Sequence, residues 1–254
     1  MTPARVPLRT ALESPGSKRL YVRRLFATIA HRYDLITVLL SFGLDSGWKR
    51  RLVAMAGSLA GRCALDLACG TGDIGFELSR RGALVTGLDI THRMVEIAHS
   101  KIHRVPSTES RIPNTEHRAP GFVVGDMMAL PFADAQFDVV TTGYGLRNVP
   151  SMQGALEEIS RVLRPGGLLL SLDFNRPTNR FVRAVYLGYL TVVGSVLGLV
   201  LHRDPDTYRY IPESLRRYPP AAAVAQMMRD AGFTTAQSMP VLGGLMSIHK
   251  ARKP

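Results

Sequence analysis

Two carboxylates flank a glycine-rich turn early in the chain. Asp66 lies within a short apolar run, and Asp73 follows Gly70 and Gly72, which let the backbone bend tightly and lie close to a ligand. With Gly75 the run also matches the G-x-G-x-x-G pattern of dinucleotide-binding proteins. A pyrophosphate prefers bare N–H groups at a helix N-terminus, and the carboxylates would repel it. The two carboxylates favour a ligand that carries an ammonium and a sulfonium, which describes S-adenosylmethionine. The alternative is an ordinary strand–turn–helix unit that binds no ligand and in which the acids are incidental.

A third carboxylate, Asp89, ends the next apolar run, about twenty residues after the glycine turn. In open α/β folds an acid at this place grips the hydroxyls of a ribose. We therefore expect Asp66, Gly70, Gly72 and Asp89 to surround one cofactor.

Alternating apolar runs and helical periodicities must position these residues. The pattern predicts strands at 63–67, 84–89, 121–124, 137–142 and 167–173, one that follows Phe233 and a last one at about 243–250. Helices are predicted at 73–81, 92–103, 151–163 and 220–230. Helices between 20 and 60 precede them, and residues 208–214 read as a polar, aromatic loop. This order predicts an α/β fold with a doubly wound, mostly parallel sheet covered on both faces. Residues 1–19 are expected to form a flexible basic tail, residues 20–254 one domain, and residues 104–120 a surface insertion.

The composition limits the class of protein. The chain has 254 residues and a formal charge of +12, which indicates an anionic partner, either a lipid surface or a nucleic acid, or simply a solvated basic surface. Cys63 and Cys69 lie too close together to suggest a disulfide, and no Cys/His cluster with zinc-ligand spacing is present. We expect a reduced, cytoplasmic protein that needs no metal.

An uncharged segment of eighteen residues runs from 184 to 201 and contains Gly194 and Gly198 at a small-xxx-small spacing. Its length is borderline for a membrane span. Its position between core elements favours a buried or interfacial apolar helix, about 179–203, that covers a lipid-like substrate or lies on a membrane surface.

Several runs resemble those of the ubiquinone/menaquinone biosynthesis C-methyltransferases, a branch of the class I S-adenosylmethionine-dependent methyltransferases. The runs are Arg32–Leu35, Leu40–Asp45 with Trp48-Lys49, Asp66–Asp73, Ala129–Phe132, Gly145–Val149, Arg161–Gly167 and Tyr208–Ile211. The glycine turn and the Arg-Pro-Gly-Gly run occur in many methyltransferases. Gly-Leu-Arg-Asn-Val, Ser-Phe-Gly-Leu-Asp and Tyr-Arg-Tyr are specific to this branch. The resemblance covers roughly residues 20–250.

The resemblance implies a Rossmann-like, seven-stranded sheet with one antiparallel strand, an N-terminal helical cap, and methylation of a ring carbon in a prenylated quinol. It places cofactor contacts at Thr71 and Asp89, and an adenine-side pair at Asp126 and Met127. A serine is common where this chain has Gly143, so only backbone contacts are expected there.

Carbon methylation of a quinol needs alignment, a proton acceptor and stabilisation of a phenolate. Arg147 and Asn148 follow the fourth strand, where ligands bind in such sheets. Arg147 is expected to hold the phenolate, or alternatively to pair with a nearby acid, and Asn148 to orient the quinol oxygen. Tyr33, with Asp34, is a candidate proton relay, although packing and helix capping are alternatives. Asp173 is a weaker candidate.

The run Tyr208, Arg209 and Tyr210 is expected to wall the quinol pocket or to form a plain surface loop. His249, in the last strand, is expected to be structural. The predicted partners are the quinol and the inner face of a membrane, with a homodimer or a quinone-synthesis complex as further candidates. Alternatives are an RNA or other small-molecule methyltransferase, or a non-catalytic scaffold. Nucleic acid is not expected, because no nucleic-acid module or base-methylation motif is found.

Overall fold

A seven-stranded sheet forms the centre of the molecule, whose computed structural model describes residues 14–103 and 119–254. Its strands are β1 Cys63–Leu67, β2 Leu84–Asp89, β3 Gly121–Val124, β4 Phe137–Gly143, β5 Leu163–Phe174, β6 Thr235–Val241 and β7 Met246–Arg252. They lie in the order β3-β2-β1-β4-β5-β7-β6. Strand β7 pairs antiparallel with β5 and β6, whereas the other pairs are parallel. The predicted doubly wound sheet with one antiparallel strand is confirmed.

Helices cover both faces of this sheet. They are α1 Pro15–Ile29, α2 Tyr33–Leu40, α3 Asp45–Ala54, α4 Asp73–Arg80, α5 His92–Ile102, α6 Met152–Val162, α7 Arg180–His202, α8 Tyr210–Arg217 and α9 Ala221–Asp230. Leu156 and Ile159 of α6 and Met228 of α9 pack in the core on one face. Leu52 of α3 and Leu78 of α4 belong to the core on the other face. These four helices bury apolar side chains on the face that packs against the sheet, as expected for amphipathic helices.

The strand order reverses between β1 and β4, which diverge into the two halves of the sheet. In open α/β sheets a ligand binds at this point, beyond the carboxyl ends of the strands. Asp66, Asp89 and Gly143 lie at or near those ends. The fold therefore brings together residues that are far apart in the chain.

The N-terminal helices begin earlier than the sequence indicated. Ser14 caps α1 by accepting a hydrogen bond from the Ser17 N–H, and Pro15 occupies the first turn, where its missing N–H is not needed. Residues 15–19, expected to lie in the basic tail, therefore belong to a helix. Residues 1–13 of that tail and 104–118 of the expected insertion lie outside the described residues.

The expected loop at 208–214 is wrong from residue 210 onward, because α8 begins at Tyr210. Pro212 lies in the first turn, where a helix tolerates proline. Tyr210, Ser214 and Leu215 are buried on one side, so tertiary packing stabilises a helix in a polar run. Strand β5 also begins earlier than expected, at Leu163.

Helix α7 spans the uncharged segment and is the one helix of the described residues long and apolar enough to cross a membrane. Only 28% of its apolar window is buried. Its two small-xxx-small glycines pack within the molecule. A Cβ at Gly194 would lie 3.2 Å from Tyr208 Cβ, and one at Gly198 would lie 2.4 Å from the Asp204 carbonyl oxygen. The glycines therefore serve close packing against the segment that leads into α8.

Candidate active site

The turn after β1 has a conformation that favours glycine at two positions. Gly70 and Gly72 have φ of 55° and 91°, and a Cβ at Gly72 would lie 2.7 Å from Phe122. The Gly70 N–H donates to Asp89 Oδ2 at 2.9 Å, which ties the turn to the end of β2. The predicted glycine turn thus forms one edge of a cleft, which Gly70 lines, and its hydrogen bond to Asp89 holds it in place.

Asp66 lies buried beneath this turn. Its Oδ1 accepts a hydrogen bond from the Thr141 hydroxyl at 2.8 Å, and it lines the narrow end of the cleft with Lys49 and Thr71. Burial raises the pKa of Asp66 to about 7. An ammonium group in the cleft would compensate the buried carboxylate, so this position fits the amino-acid end of the expected cofactor.

Asp89 lines the wider part of the same cleft. Its Oδ1 accepts the Thr91 N–H at 2.8 Å and its Oδ2 accepts the Gly70 N–H. Burial raises its pKa, and these N–H groups oppose the rise. Each carboxylate oxygen retains a second lone pair, so Asp89 can accept from two neighbouring hydroxyls. This capacity fits the ribose position predicted for it.

The predicted adenine-side residues form the far wall of the cleft. Asp126 and Met127 both line it, and Arg19 of α1 pairs with the Asp126 carboxylate at 2.8 Å. Gly143 also lines the cleft. A Cβ on Gly143 would lie 2.8 Å from Ile74 Cδ1, so a larger residue would crowd Ile74. The backbone contact expected of Gly143 stays a prediction.

A second cavity of about 430 Å³ adjoins the cleft. Its walls come from α1, α2, α7, α8 and the end of β5, and they are mainly apolar and aromatic. Examples are Ile36, Phe42, Phe174, Val185, Tyr189 and Leu245. The Phe42 and Tyr189 rings stack with centroids 5.7 Å apart, which joins α7 to the segment after α2. The cavity suits a large apolar ligand.

Two tyrosines line both the cleft and the cavity. The Tyr33 ring lies over the glycine turn, 3.6 Å from the position that a Cβ on Gly70 would take, and burial raises its pKa to about 12. The Tyr144 hydroxyl donates to Asp45 Oδ1 at 2.6 Å. A group carried by a cofactor in the cleft and a ligand in the cavity would meet between these rings. Tyr33 was predicted here, and Tyr144 was not.

Arg147 lines the cavity but is paired with an acid, the alternative that the sequence left open. Its Nε donates to Asp173 Oδ1 at 3.2 Å, and its Nη1 donates to the Ser214 hydroxyl at 2.9 Å. The guanidinium lies 4.9 Å from the centroid of the Phe174 ring. Burial raises the pKa of Asp173, and the Arg147 charge opposes that rise. The positive charge of Arg147 would therefore be divided between Asp173 and a bound phenolate.

Asn148 faces the cleft rather than the apolar cavity. Its Nδ2 donates to the Tyr144 carbonyl oxygen at 2.8 Å, and its Oδ1 accepts from the Tyr210 hydroxyl at 3.0 Å. The amide thus fixes two tyrosines that line the cavity. Its expected contact with a quinol oxygen stays a prediction.

The run Tyr208–Tyr210 contains two buried residues and one exposed residue. Tyr208 and Tyr210 are buried and line the cavity. Arg209 points away and pairs with Asp206 at 2.9 Å, with 57% of its side chain exposed. The structure supports a wall made of the two tyrosines and does not bring Arg209 to it, because successive residues at the start of a helix face different directions.

A charged network beneath the turn was missed by the sequence reading. Lys49 Nζ contacts Asp45 Oδ2 at 2.5 Å and Asp73 Oδ2 at 2.9 Å. Burial alone would lower the pKa of Lys49, but Asp73 and Asp45 overcome it and raise that pKa. The available signal was the Trp48-Lys49 run, but its carboxylate partners lie on two helices and could not be paired from the sequence.

Thr71 belongs to an extension of this network. Its hydroxyl donates to Asp34 Oδ1 at 2.5 Å, and Lys101 pairs with Asp34 at 2.7 Å and with Asp73 at 3.2 Å. These contacts connect α2 and α5 to the glycine turn. They place Asp34 as a support of the turn as well as a neighbour of Tyr33.

His249 is fully buried in β7 and its Nε2 lies 3.0 Å from the Ala221 carbonyl oxygen. It lines neither the cleft nor the apolar cavity, in keeping with the structural role expected of it. Across residues 14–103 and 119–254, no group of three or more His, Cys, Asp or Glu side chains could hold a metal ion. The absence of a metal requirement stays a prediction.

Known proteins resemble this chain over most of its length. A model of the ubiE/COQ5 methyltransferase family matches residues 14–253. A Shewanella pealeana protein named ubiquinone/menaquinone biosynthesis C-methyltransferase UbiE is 34% identical over 235 residues, 91% of this chain and 90% of that protein. The Azotobacter vinelandii protein of the same name is 35% identical over 242 residues, 94% of this chain and 92% of that protein.

Solved structures share the fold. A S-adenosylmethionine-dependent methyltransferase of Thermotoga maritima has a TM-score of 0.63 at 17% identity, covering 92% of this chain and 100% of that one. Phosphoethanolamine N-methyltransferase 2 of Haemonchus contortus, solved with S-adenosylmethionine, has a TM-score of 0.58 at 14% identity, covering 82% and 52%. At these identities the likeness concerns the fold alone.

Proposed function

The chain belongs to the ubiE/COQ5 methyltransferase family, and on that premise we propose that it methylates a ring carbon of a prenylated quinol. The methyl donor is S-adenosylmethionine. The relatives' names point to quinone biosynthesis. The observation that carries the proposal is an apolar cavity of about 430 Å³ that meets the predicted cofactor cleft between Tyr33 and Tyr144.

The cleft offers a matching group to each part of S-adenosylmethionine. Asp66 would hold the ammonium, because burial raises the pKa of its carboxyl to about 7 and a neighbouring cation would stabilise the charged form. Asp89 would hold the ribose hydroxyls. Asp126 and Met127 would flank the adenine, after Arg19 releases Asp126. These assignments are our proposal, and the bound donor would supply an electrophilic methyl group on its sulfonium.

The apolar cavity supports a lipid-like acceptor. Its walls are mainly hydrocarbon and aromatic, so they offer little to a charged substrate. A quinol ring placed beside Tyr144 would lie at the cleft, while its prenyl tail would follow Ile36, Phe42 and Val185 toward α2 and α7. The protein's part in methyl transfer is then alignment and exclusion of water, which an in-line displacement requires.

Arg147 would stabilise negative charge on the quinol oxygen during this transfer. Its guanidinium is held in place by Asp173, Ser214 and Phe174, so it needs no reorganisation. Because Asp173 neutralises part of its charge, we expect Arg147 to orient the oxygen as much as to stabilise it.

We further propose that the enzyme works on the cytoplasmic face of a membrane. Apolar side chains of α2, of the segment after it and of α7 are exposed, among them Val38, Phe42, Phe181, Val185, Val192 and Val200. Phe42, Phe181 and Val185 of this set also line the cavity. We call this set the apolar rim. An exposed apolar rim together with a net charge of +12 suits a surface with anionic lipids. A quinol could then enter the cavity without crossing water.

The test of the proposed activity uses the whole protein in detergent with labelled S-adenosylmethionine. Two reduced acceptors are supplied separately, demethylmenaquinol and the demethylated benzoquinol precursor of ubiquinone. We expect label in at least one lipid product, and the ratio of the two rates would identify the quinone pathway. Absence of label from both, with donor binding intact by calorimetry, would overturn the proposal.

A further inference from the structure

Tyr144 is held rigidly at the junction of the cleft and the cavity. It is 8% exposed and lines both. Its φ of 61° lies in the left-handed region, which a bulky residue adopts only where its surroundings require it. Asn148 donates to its carbonyl oxygen, and its ring packs 5.5 Å from that of Phe174. The ring is therefore fixed where the quinol is proposed to bind.

The Tyr144 hydroxyl leads from this junction to a buried carboxylate. It donates to Asp45 Oδ1 at 2.6 Å, and the other oxygen of Asp45 contacts Lys49. Asp45 is 5% exposed, and Lys49 balances its charge. Burial raises the pKa of Tyr144, and Asp45 adds to the rise, as do the nearby Tyr33 and Asp173. At neutral pH the hydroxyl therefore keeps its proton and points it at Asp45.

Other charged groups are less suited to accept this proton. Asp66 also lines the cleft beside Tyr144, but it is assigned above to the ammonium of the donor. Arg147 stays protonated at any accessible pH. Asp173 already accepts from Arg147 and from the Phe174 N–H. His249 contacts a backbone carbonyl oxygen in β7, outside both the cleft and the cavity. Asp45 can be reached from the cavity through one hydroxyl.

Resting on the quinol methylation proposed above, we infer that Tyr144 is the residue that takes the quinol hydroxyl proton, while it passes its own proton to Asp45. Tyr144 is then a catalytic residue, and Asp45 and Lys49 act through it. Because both transfers occur together, Tyr144 never carries a full negative charge.

The proton balance of the reaction fits this relay. Loss of the O–H proton sends electrons into the ring, whose carbon bonds to the methyl group while the S–CH3 pair stays on sulfur. The ring then holds both methyl and hydrogen on one carbon. That hydrogen leaves as a proton to water, and the oxygen regains a proton from Asp45 through Tyr144. One proton is released for each methyl group transferred.

The test is the single-turnover rate of methyl transfer by the Tyr144→Phe variant of the full chain. This change removes the hydroxyl and keeps the ring. We expect the rate to fall at least about 100-fold, the usual contribution of a proton-transfer group, with the donor Kd and quinol KM within twofold of wild type. Raising the pH should partly restore the rate, because the quinol then ionises in solution. Tyr218→Phe, another buried tyrosine, is the matched control and should keep the wild-type rate.

Asp45→Asn provides an independent variant that retains the Lys49–Asp73 pair. We expect a comparable loss of rate, and no further loss when it is combined with Tyr144→Phe, because both changes break one relay. Wild-type rates in Tyr144→Phe, or fully additive losses in the double variant, would overturn the inference. Failure of the wild-type enzyme to methylate any quinol would instead overturn the proposed activity.

Discussion

Arg147 can be buried beside an apolar cavity because Asp173 compensates its charge. Asp173 is fully buried, so each member of the pair depends on the other. Lys49 is likewise compensated by Asp45 and Asp73. Asp66 accepts a hydrogen bond from a hydroxyl, and its charge would be compensated by a cationic ligand. At the scale of single residues, the site is built from buried charges that are balanced within the protein or by the cofactor.

Arg147→Ala should therefore affect stability as well as chemistry. We expect the free energy of unfolding in urea to fall by about 3–5 kcal/mol, because the change leaves Asp173 buried without its partner. The double variant Arg147→Ala/Asp173→Asn should recover a large part of this loss and bind S-adenosylmethionine, yet show no turnover. If Arg147→Ala were as stable as the wild type, the Arg147–Asp173 ion pair would not be needed for stability.

Donor binding should depend on pH through Asp66. Burial raises the pKa of Asp66 to about 7, so the carboxylate is protonated as the pH falls through that value and can no longer bind an ammonium. For a pKa of about 7, affinity by calorimetry should be about eightfold weaker at pH 6 than at pH 7.5. Asp66→Asn should bind weakly at both pH values. An unchanged Kd in the wild type would contradict the ammonium assignment.

Among the elements, the glycine turn and α7 determine where ligands bind. The turn opens the cleft because two glycines adopt positive φ and one of them packs on Phe122. Helix α7 uses Gly194 and Gly198 to approach the segment before α8, which leaves its other side exposed. Both elements use glycine to bring the backbone close to a neighbour. The turn thereby shapes the cofactor cleft, and α7 thereby forms a wall of the apolar cavity.

Gly72→Ala tests the turn, with Gly166→Ala as its control. Both glycines have positive φ, but a Cβ has open space at Gly166 and would meet Phe122 at Gly72. We expect about 1 kcal/mol of destabilisation at Gly166, from backbone strain alone, with normal donor binding. Gly72→Ala should lose more stability and at least about tenfold in donor affinity. Equal behaviour of the two variants would show that contact with Phe122 does not shape the cleft.

The exposed side of α7 is tested by replacing Val192, Val196 and Val200 with serine. These side chains are 55–70% exposed, so stability should change little. Binding to phosphatidylcholine vesicles containing phosphatidylglycerol should fall at least about tenfold, because three apolar groups no longer enter the lipid. Exposed Leu84 of β2 and exposed Val123 and Val124 of the edge strand β3, changed in the same way, provide the control. If both triple variants bind vesicles equally well, α7 is not the membrane contact.

At the scale of the whole molecule, local sequence patterns predicted the helices and strands, whereas long-range contacts determine which side chains meet in the site. The strands, the glycine turn and the roles offered to Asp66 and Asp89 follow from apolar periodicity and from carboxylates at strand ends. The Tyr144–Asp45 hydrogen bond joins residues 99 apart in the chain, and no local pattern encodes it. Helix α8 and the outward direction of Arg209 likewise depend on what each residue meets after folding.

The measurement that tests the central claim most directly is the position of the transferred methyl group. Wild-type enzyme is incubated with S-adenosylmethionine carrying a ¹³C methyl group and with a prenylated quinol that the enzyme accepts. The lipid product is then examined by ¹³C NMR. We predict that the label appears as a methyl group bonded to a ring carbon. Label on a quinol oxygen, or none in the lipid, would contradict carbon methylation of a quinol as the function of this site.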